Sequence, residues 1–351
     1  MHSYVFPGDL DKEIAAVGSQ PIPYMRTEEF SKINLESERI LLDLIHCHGG
    51  RTIIYTGSGT GAMSAVVENY VSTKGKALAI NGGSFGRRWV SLCEYYGVPV
   101  VDFKVPFAKD IDYDELERTV EAESPEVFLC QHHETSTGQI FNLEKISGIC
   151  HRHNVSLVVD VISTFLAEEL DMDALGIDIC ITSTQKGLNI PPGLSILFIS
   201  KRLEGYEYAH RGYYWDFEDN LGNLKRGQTP FSPATLIYLQ LNARLRQLQV
   251  QGGEMYNISQ VRHRAEVFRK ECRRYGWTMP AENPSHAITA IQTKDTAERR
   301  IFRGLIERYE TFIMPGSLPG FYRISHMGLQ TDEELRTLAE RIHLIETEID
   351  E

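Results

Sequence analysis

"RTIIYTGSGTGAMSAVVENYV", residues 51–71, decides how the rest of the chain is read. After Arg51 come Thr52, Ile53, Ile54, Tyr55 and Thr56, all β-branched or aromatic, and these suit a strand. Gly57, Ser58, Gly59, Thr60 and Gly61 then break the run, and Ala62 to Val67 supply an apolar, helix-compatible stretch. A strand that turns through glycines directly into a helix is half of a parallel β-α-β crossover.

Working outward, the same rhythm repeats. "KALAINGGSFGRRWVSLCEYYG" (76–97) reads as strand then helix, "VPVVDFKV" (98–105) as a strand, and "DYDELERTVEAE" (112–123) as a helix opening on acids. "EVFLCQHH" (126–133), "VSLVVDVIS" (155–163), "DICITST" (178–184) and "LSILFIS" (194–200) are further strands, with the helix "NLEKISGICHRHN" (142–154) among them. Short Val/Ile/Leu-rich strands alternating with helices predict an α/β fold with a mainly parallel sheet covered by helices on both faces. After about residue 201 the rhythm changes. An aromatic loop leads into one long helical pattern over 234–276. Short strands, a helix near 295–310 and a final helix near 331–349 follow. This predicts a smaller C-terminal α+β domain over 241–351, a large domain over 15–240, and an N-terminal segment, 1–14, that joins the small domain and the site.

The net charge of −12 argues against a general nucleic-acid or anionic-membrane binder, while leaving room for a local basic pocket. No apolar run approaches the ~20 residues that span a bilayer. The start shows no basic and long-apolar leader pattern, so a cytoplasmic protein is expected. The six cysteines are scattered without a CxxC pair, which suits buried reduced thiols better than disulfides or zinc. His132 and His133 precede Glu134, but no third ligand stands at a suitable spacing, so no metal is expected.

In parallel α/β sheets ligands sit at the carboxyl ends of the strands. Five such ends carry polar or glycine-rich residues here: "TGSGTGAM" (56–63), "NGGSFGRR" (81–88), "HHETSTG" (132–138), "DVIS" (160–163) and "TSTQKG" (182–187). The glycine run opening a helix suits an anion. It lacks the lysine of a nucleotide P-loop, because Ala62 stands there. Asp160 ends an apolar strand, Phe85 lies between glycines, and Lys186 sits in a loop stiffened by Pro191 and Pro192 between two apolar strands. A lysine shielded from water more easily loses its proton, and a neutral amine attacks carbonyls. A phosphate cradle, a strand-end aspartate, an aromatic ring and a loop lysine together suit pyridoxal phosphate.

These blocks, with "PGD" (7–9), "MRTEEF" (25–30), "STQKGLNIPPGLS" (183–195), "GQTPFSPA" (227–234) and "YRISHMG" (322–328), resemble the class V aminotransferases over nearly the whole chain. The likeness is greatest to the alanine–glyoxylate (serine–pyruvate) aminotransferases and the 2-aminoethylphosphonate transaminases. The resemblance implies the type I fold of pyridoxal-phosphate transferases and a homodimer with shared sites. It implies an amino donor such as alanine, serine or 2-aminoethylphosphonate, and a small 2-oxo acid acceptor such as pyruvate or glyoxylate. By resemblance Lys186 holds the cofactor aldehyde, Gln185, Ser58, Gly59 and Thr60 contact the phosphate, and Phe85 and Ile162 face the two sides of the ring. Thr135 lies near the ring hydroxyl and Asp160 partners the ring nitrogen. Ser232, or alternatively Thr229, reaches the neighbouring subunit's phosphate. Arg323 clamps the substrate carboxylate, and Gly8 belongs to the substrate pocket. Asp9 and Met25 stand where the family carries proline and histidine. A lyase or other pyridoxal-phosphate chemistry on the same fold is the alternative. A cysteine desulfurase would need a reactive loop cysteine, and Cys272, the one cysteine after Lys186, falls in a helical pattern.

Overall fold

The computed structural model describes residues 2–210 and 212–350. Seven strands build the central sheet: β1 (Arg51–Thr56), β2 (Ala77–Asn81), β3 (Val100–Lys104), β4 (Val127–Gln131), β5 (Ser156–Asp160), β6 (Ile179–Ser183) and β7 (Leu194–Ile199). Their order across the sheet is β1-β7-β6-β5-β4-β2-β3. All run parallel except β7, which is antiparallel to both its neighbours. The reason for that reversal is length. Residues 184–193 alone separate β6 from β7, too few for a helical crossover, so the chain must double back. Strands β4, β6 and β7 are buried at every residue, as their unbroken apolar runs require of a sheet covered on both faces.

The helices Gly59–Asn69 and Ser84–Tyr96 cover one face, packing Ala62, Val66 and Trp89 on Ile53, Ala79 and Leu129. On the other face the helices Glu28–Leu44, Leu143–Arg152 and Thr235–Gln251 bring Phe30, Ile146 and Leu241 onto Ile54, Phe128 and Ile196. All six cysteines are free and buried.

The helical pattern expected over 234–276 divides in two, Thr235–Gln251 and Gly253–Tyr275. Gly252 (φ +108°) and Gly253 (φ +75°) adopt left-handed backbone that interrupts the helix. The first half buries Tyr238, Leu241 and Leu245 in the core beside the large sheet. The second buries Phe268 and Cys272 in a separate core with Ile291, Leu305, Ile324 and Leu338. On these contacts we propose that the junction between the two units lies at Gly252–Gly253. The C-terminal unit carries an antiparallel sheet of β8 (Ile288–Gln292), β9 (Met314–Pro315) and β10 (Phe321–Ser325), in the order β8-β10-β9. The N-terminal His2–Ser3 pairs parallel with Thr311–Phe312, and Tyr4 enters this second core.

Candidate active site

The carboxyl ends of β1, β2, β4, β5 and β6 lie along one edge of the sheet, and the loop between β6 and β7 crosses it. That loop is built to hold Lys186 still. The Thr184 hydroxyl donates to the Pro191 carbonyl (2.8 Å), and the Asn189 N–H donates to the Lys186 carbonyl (2.8 Å). Gly187 passes so near the Phe165 carbonyl that a Cβ there would lie 2.1 Å from the oxygen. Lys186 is 8% exposed. Burial, assisted by the Arg323 charge and opposed by Asp160, lowers the pKa of its amine to about 7.

Asp160, at the end of β5, is 6% exposed. Burial pushes its carboxyl up to about 7, while a hydrogen bond from the Ile162 N–H (2.8 Å) and the charges of Lys186 and Arg88 work against the rise. The lysine and the aspartate thus stand within each other's fields, both pressed toward neutrality.

The glycine-rich turn lies next to them. Ser58 precedes the helix Gly59–Asn69 without capping it by its side chain, which leaves first-turn N–H groups open. A Cβ on Gly59 would come within 2.4 Å of Ile162 Cδ1, and one on Gly57 or Gly61 would press on the Trp215 ring at 3.1 or 3.0 Å. The glycines are therefore required in part by packing. Two buried polar atoms nearby, Ser183 Oγ and Gln185 Oε1, have no partner among the described residues, and Ser183 Oγ lies 3.5 Å from where a Gly59 Cβ would stand.

Sequence reasoning passed over Arg88. Its Nη1 donates to Thr60 Oγ1 (2.7 Å), and its guanidinium covers the Phe85 ring at 4.9 Å from the centroid. The doubled arginine after Phe85 was the available signal. Glu134 was weighed as a metal ligand, but its carboxylate is occupied otherwise. It accepts from the backbone N–H groups of Phe85 (3.3 Å), Gly86 (3.0 Å) and Ser136 (3.1 Å) and from Gln131 Nε2 (2.9 Å). It sits at the start of the helix Ser84–Tyr96, where a negative charge is favoured, and it fixes the backbone of Phe85. Thr135 donates its hydroxyl hydrogen to Ser163 Oγ (3.0 Å), which also contacts His133 Nδ1 (2.8 Å).

Arg323 comes from β10 in the other unit. Nη1 donates to the Thr135 carbonyl and Nη2 to the Pro315 carbonyl, each at 3.0 Å, and the buried Nε has no partner among the described residues. Among the described residues neither Arg323 nor Arg88 is ion-paired to a carboxylate. Gly8 (φ +81°) backs onto Gly328 at the margin of the same region. Ser232 and Thr229 are not brought to Lys186. They line a separate crevice with Tyr55, Tyr214 and Phe231, where Thr229 donates to the Phe231 carbonyl (2.7 Å).

Known proteins resemble this chain in sequence and in fold. The chain is 26% identical over 348 residues to a protein described as "Soluble hydrogenase, small subunit" from Synechococcus sp. (strain PCC 6716), covering 96% of this chain and 90% of that one. It is 28% identical over 342 residues to the serine–glyoxylate aminotransferase of Hyphomicrobium methylovorum, covering 92% and 84%. The crystal structure of an alanine–glyoxylate aminotransferase from Nostoc sp. superposes with a TM-score of 0.91 at 22% identity, over 98% of this chain and 94% of that one, which establishes the shared fold. Residues 16–208 match the family model Aminotransferase class-V, and the chain belongs to that family of transaminases.

Proposed function

We propose that the chain is a pyridoxal-phosphate-dependent aminotransferase that moves an amino group from a small amino acid or aminophosphonate, of the alanine, serine or 2-aminoethylphosphonate type, to pyruvate or glyoxylate. The observation that carries the reading is a buried lysine, driven toward its neutral form, between a buried aspartate and an arginine without a carboxylate partner. The residues present fit the cofactor. The open helix start at Gly59, the Ser183 hydroxyl, which has no partner among the described residues, and Arg88 on Thr60 suit a phosphate, to which Gln185 would turn its amide N–H donors. Phe85 and Ile162 offer apolar surfaces for a ring, and Thr135 offers a hydroxyl beside it.

Pyridoxal phosphate, when bound, supplies an aldehyde carbon and an electron-withdrawing ring that disperses negative charge from the donor α-carbon. In this reading Lys186, its amine neutral through burial, would hold the cofactor aldehyde, and its Nζ would take and return the proton of the substrate α-carbon. Asp160 keeps a proton on the ring nitrogen. Arg323 orients the donor carboxylate through its fork of N–H groups. The large unit binds the cofactor and residues 1–14 complete the substrate side. The enzyme works as a cytoplasmic homodimer in which Ser232 or Thr229 serves the neighbouring site. A desulfurase reading fits poorly, because Cys272 is buried in a helix with its thiol pushed up to about 12.

The test is direct. Purified protein supplied with pyridoxal phosphate should turn yellow, and borohydride should fix the cofactor on the peptide that contains Lys186. Label on another lysine, or no chromophore, would overturn the assignment. Glyoxylate-dependent formation of glycine, matched by pyruvate from alanine or hydroxypyruvate from serine and with no ammonia released, then separates transamination from elimination or decarboxylation.

A further inference from the structure

The N-terminal segment does more than skirt the site. The centroid of the Phe6 ring lies 3.1 Å from Lys186 Nζ, so the ring covers one side of the reactive amine. A ring face toward an ammonium is attractive, and the contact excludes other atoms from that side. Phe6 is itself packed against the C-terminal unit, in a small apolar cluster with Ile288, Met314 and Met327.

The backbone on either side of the ring is tied down. Asn189, three residues past the lysine, donates its side-chain N–H to the Pro7 carbonyl (2.7 Å) and the Asp9 carbonyl (3.2 Å). On the other flank the Ser325 N–H donates to the Tyr4 carbonyl (2.9 Å), and the Tyr4 N–H donates to the Phe312 carbonyl (2.9 Å). A Cβ on Gly8 would stand 3.1 Å from Gly328 Cα, so the strap lies close on the C-terminal unit. The ring is therefore held between the lysine loop and β10, and it cannot retreat without loss of these bonds.

We propose that Phe6 determines specificity by walling the donor side of the site, so that amino donors with short side chains are accepted and longer ones are excluded. The inference rests on the transaminase reading above. A donor α-carbon must come within proton-transfer reach of Lys186 Nζ, and its carboxylate is drawn to Arg323. The remaining substituent must then find room around an amine already roofed by an aromatic ring. A methylene that does not fit such a pocket typically costs about 10- to 200-fold in kcat/KM.

The experiment measures kcat/KM for alanine, 2-aminobutyrate and norvaline with glyoxylate, using the holoenzyme, Phe6→Leu and Phe6→Ala. For the wild type the values should fall steeply along the series. The norvaline-to-alanine ratio should rise about tenfold or more in Phe6→Ala and by less in Phe6→Leu, which keeps an apolar contact should the smaller variant fold poorly. A wild-type enzyme that works equally well along the series would overturn the proposal, and so would ratios unchanged in both variants. A wild type that transaminates no donor would instead overturn the functional reading, and this inference with it.

Discussion

Replacing Arg323 tests whether it reads the substrate or supports the fold. Its guanidinium carries five N–H donors, and Nη1 and Nη2 each give one to a backbone carbonyl, those of Thr135 and Pro315. The Nε hydrogen and one hydrogen on each Nη remain, a set that matches two carboxylate oxygens. Burial pulls the pKa of the group below its ordinary value, with the Glu134 charge opposing, so the cation has reason to accept an anion. In Arg323→Lys the charge stays but the fork is lost. Loss of a charge-assisted pair with one partner left buried costs roughly 2–5 kcal/mol, and lysine should recover part of it. Full loss in Arg323→Ala should therefore lower kcat/KM for alanine by about 30-fold to several thousand-fold. Arg323→Ala should also cost about 1–3 kcal/mol of stability for each carbonyl left without its donor. The assay is kcat/KM for an amino-acid donor against a simple uncharged amine of similar size, with urea unfolding alongside. The amino acid should suffer the larger loss. Equal losses for charged and uncharged donors would show that Arg323 only supports the fold.

Other expectations follow from the same geometry. Asp160→Asn and Asp160→Ala should fold, because one backbone hydrogen bond is at stake, yet lose about 3 kcal/mol or more of transition-state stabilisation, or at least 100-fold in kcat. Near-normal turnover would refute the role assigned to Asp160. Glu168 should shape the acid limit of stability. Burial alone would raise its pKa, but the hydrogen bonds and charge of His286, with Ser285, outweigh burial and hold its carboxyl at about 2. Its folded pKa is depressed, so its contribution is complete above the unfolded value near 4.5 and is lost as pH falls toward 2, roughly 3 kcal/mol in all. Urea midpoints measured between pH 6 and pH 2.5 should drop less for Glu168→Gln than for the wild type, and parallel curves would contradict this.

Much of the sheet could be read from the chain because most strands of the central sheet are short apolar runs ending in polar or glycine-rich residues, and that pattern is local. The turn at 57–61 and the loop holding Lys186 were visible for the same reason. The reversal of β7 had its signal in the short link after Ser183, and the break at Gly252–Gly253 had its signal in the doubled glycine. Helix-forming sequence on both sides concealed that break. The contacts that assemble the site are of another kind. Phe6 lies 180 positions before Lys186, and Arg323 donates to Thr135 across 188 positions. Neither follows from spacing or propensity, because each depends on how the C-terminal unit and the N-terminal strap pack on the sheet edge. Arg88 was hidden by the ordinary habit of arginines in amphipathic helices, which is to face water.

The charge pattern of the site connects these pieces. The chain as a whole is acidic, at −12, yet its sheet edge gathers Lys186, Arg88 and Arg323. Neither guanidinium has a carboxylate partner among the described residues, although each is held by hydroxyl or carbonyl oxygens. Keeping a half-buried cation without a counter-ion is unfavourable, and carboxylates elsewhere in the chain are abundant enough to have been recruited. Glu134 is near enough to act on both Asp160 and Arg323, but its oxygens are taken by backbone N–H groups and Gln131. The two arginines come from different units: Arg88, whose charge acts on Asp160, stands beside the open helix start, and Arg323, whose charge acts on Lys186, lies on β10. Two such cations, each without a carboxylate partner among the described residues, call for two anions. A phosphate at Arg88 and a carboxylate at Arg323 meet the demand together, which is why the proposed reaction requires a phosphorylated cofactor and an anionic donor in the same site.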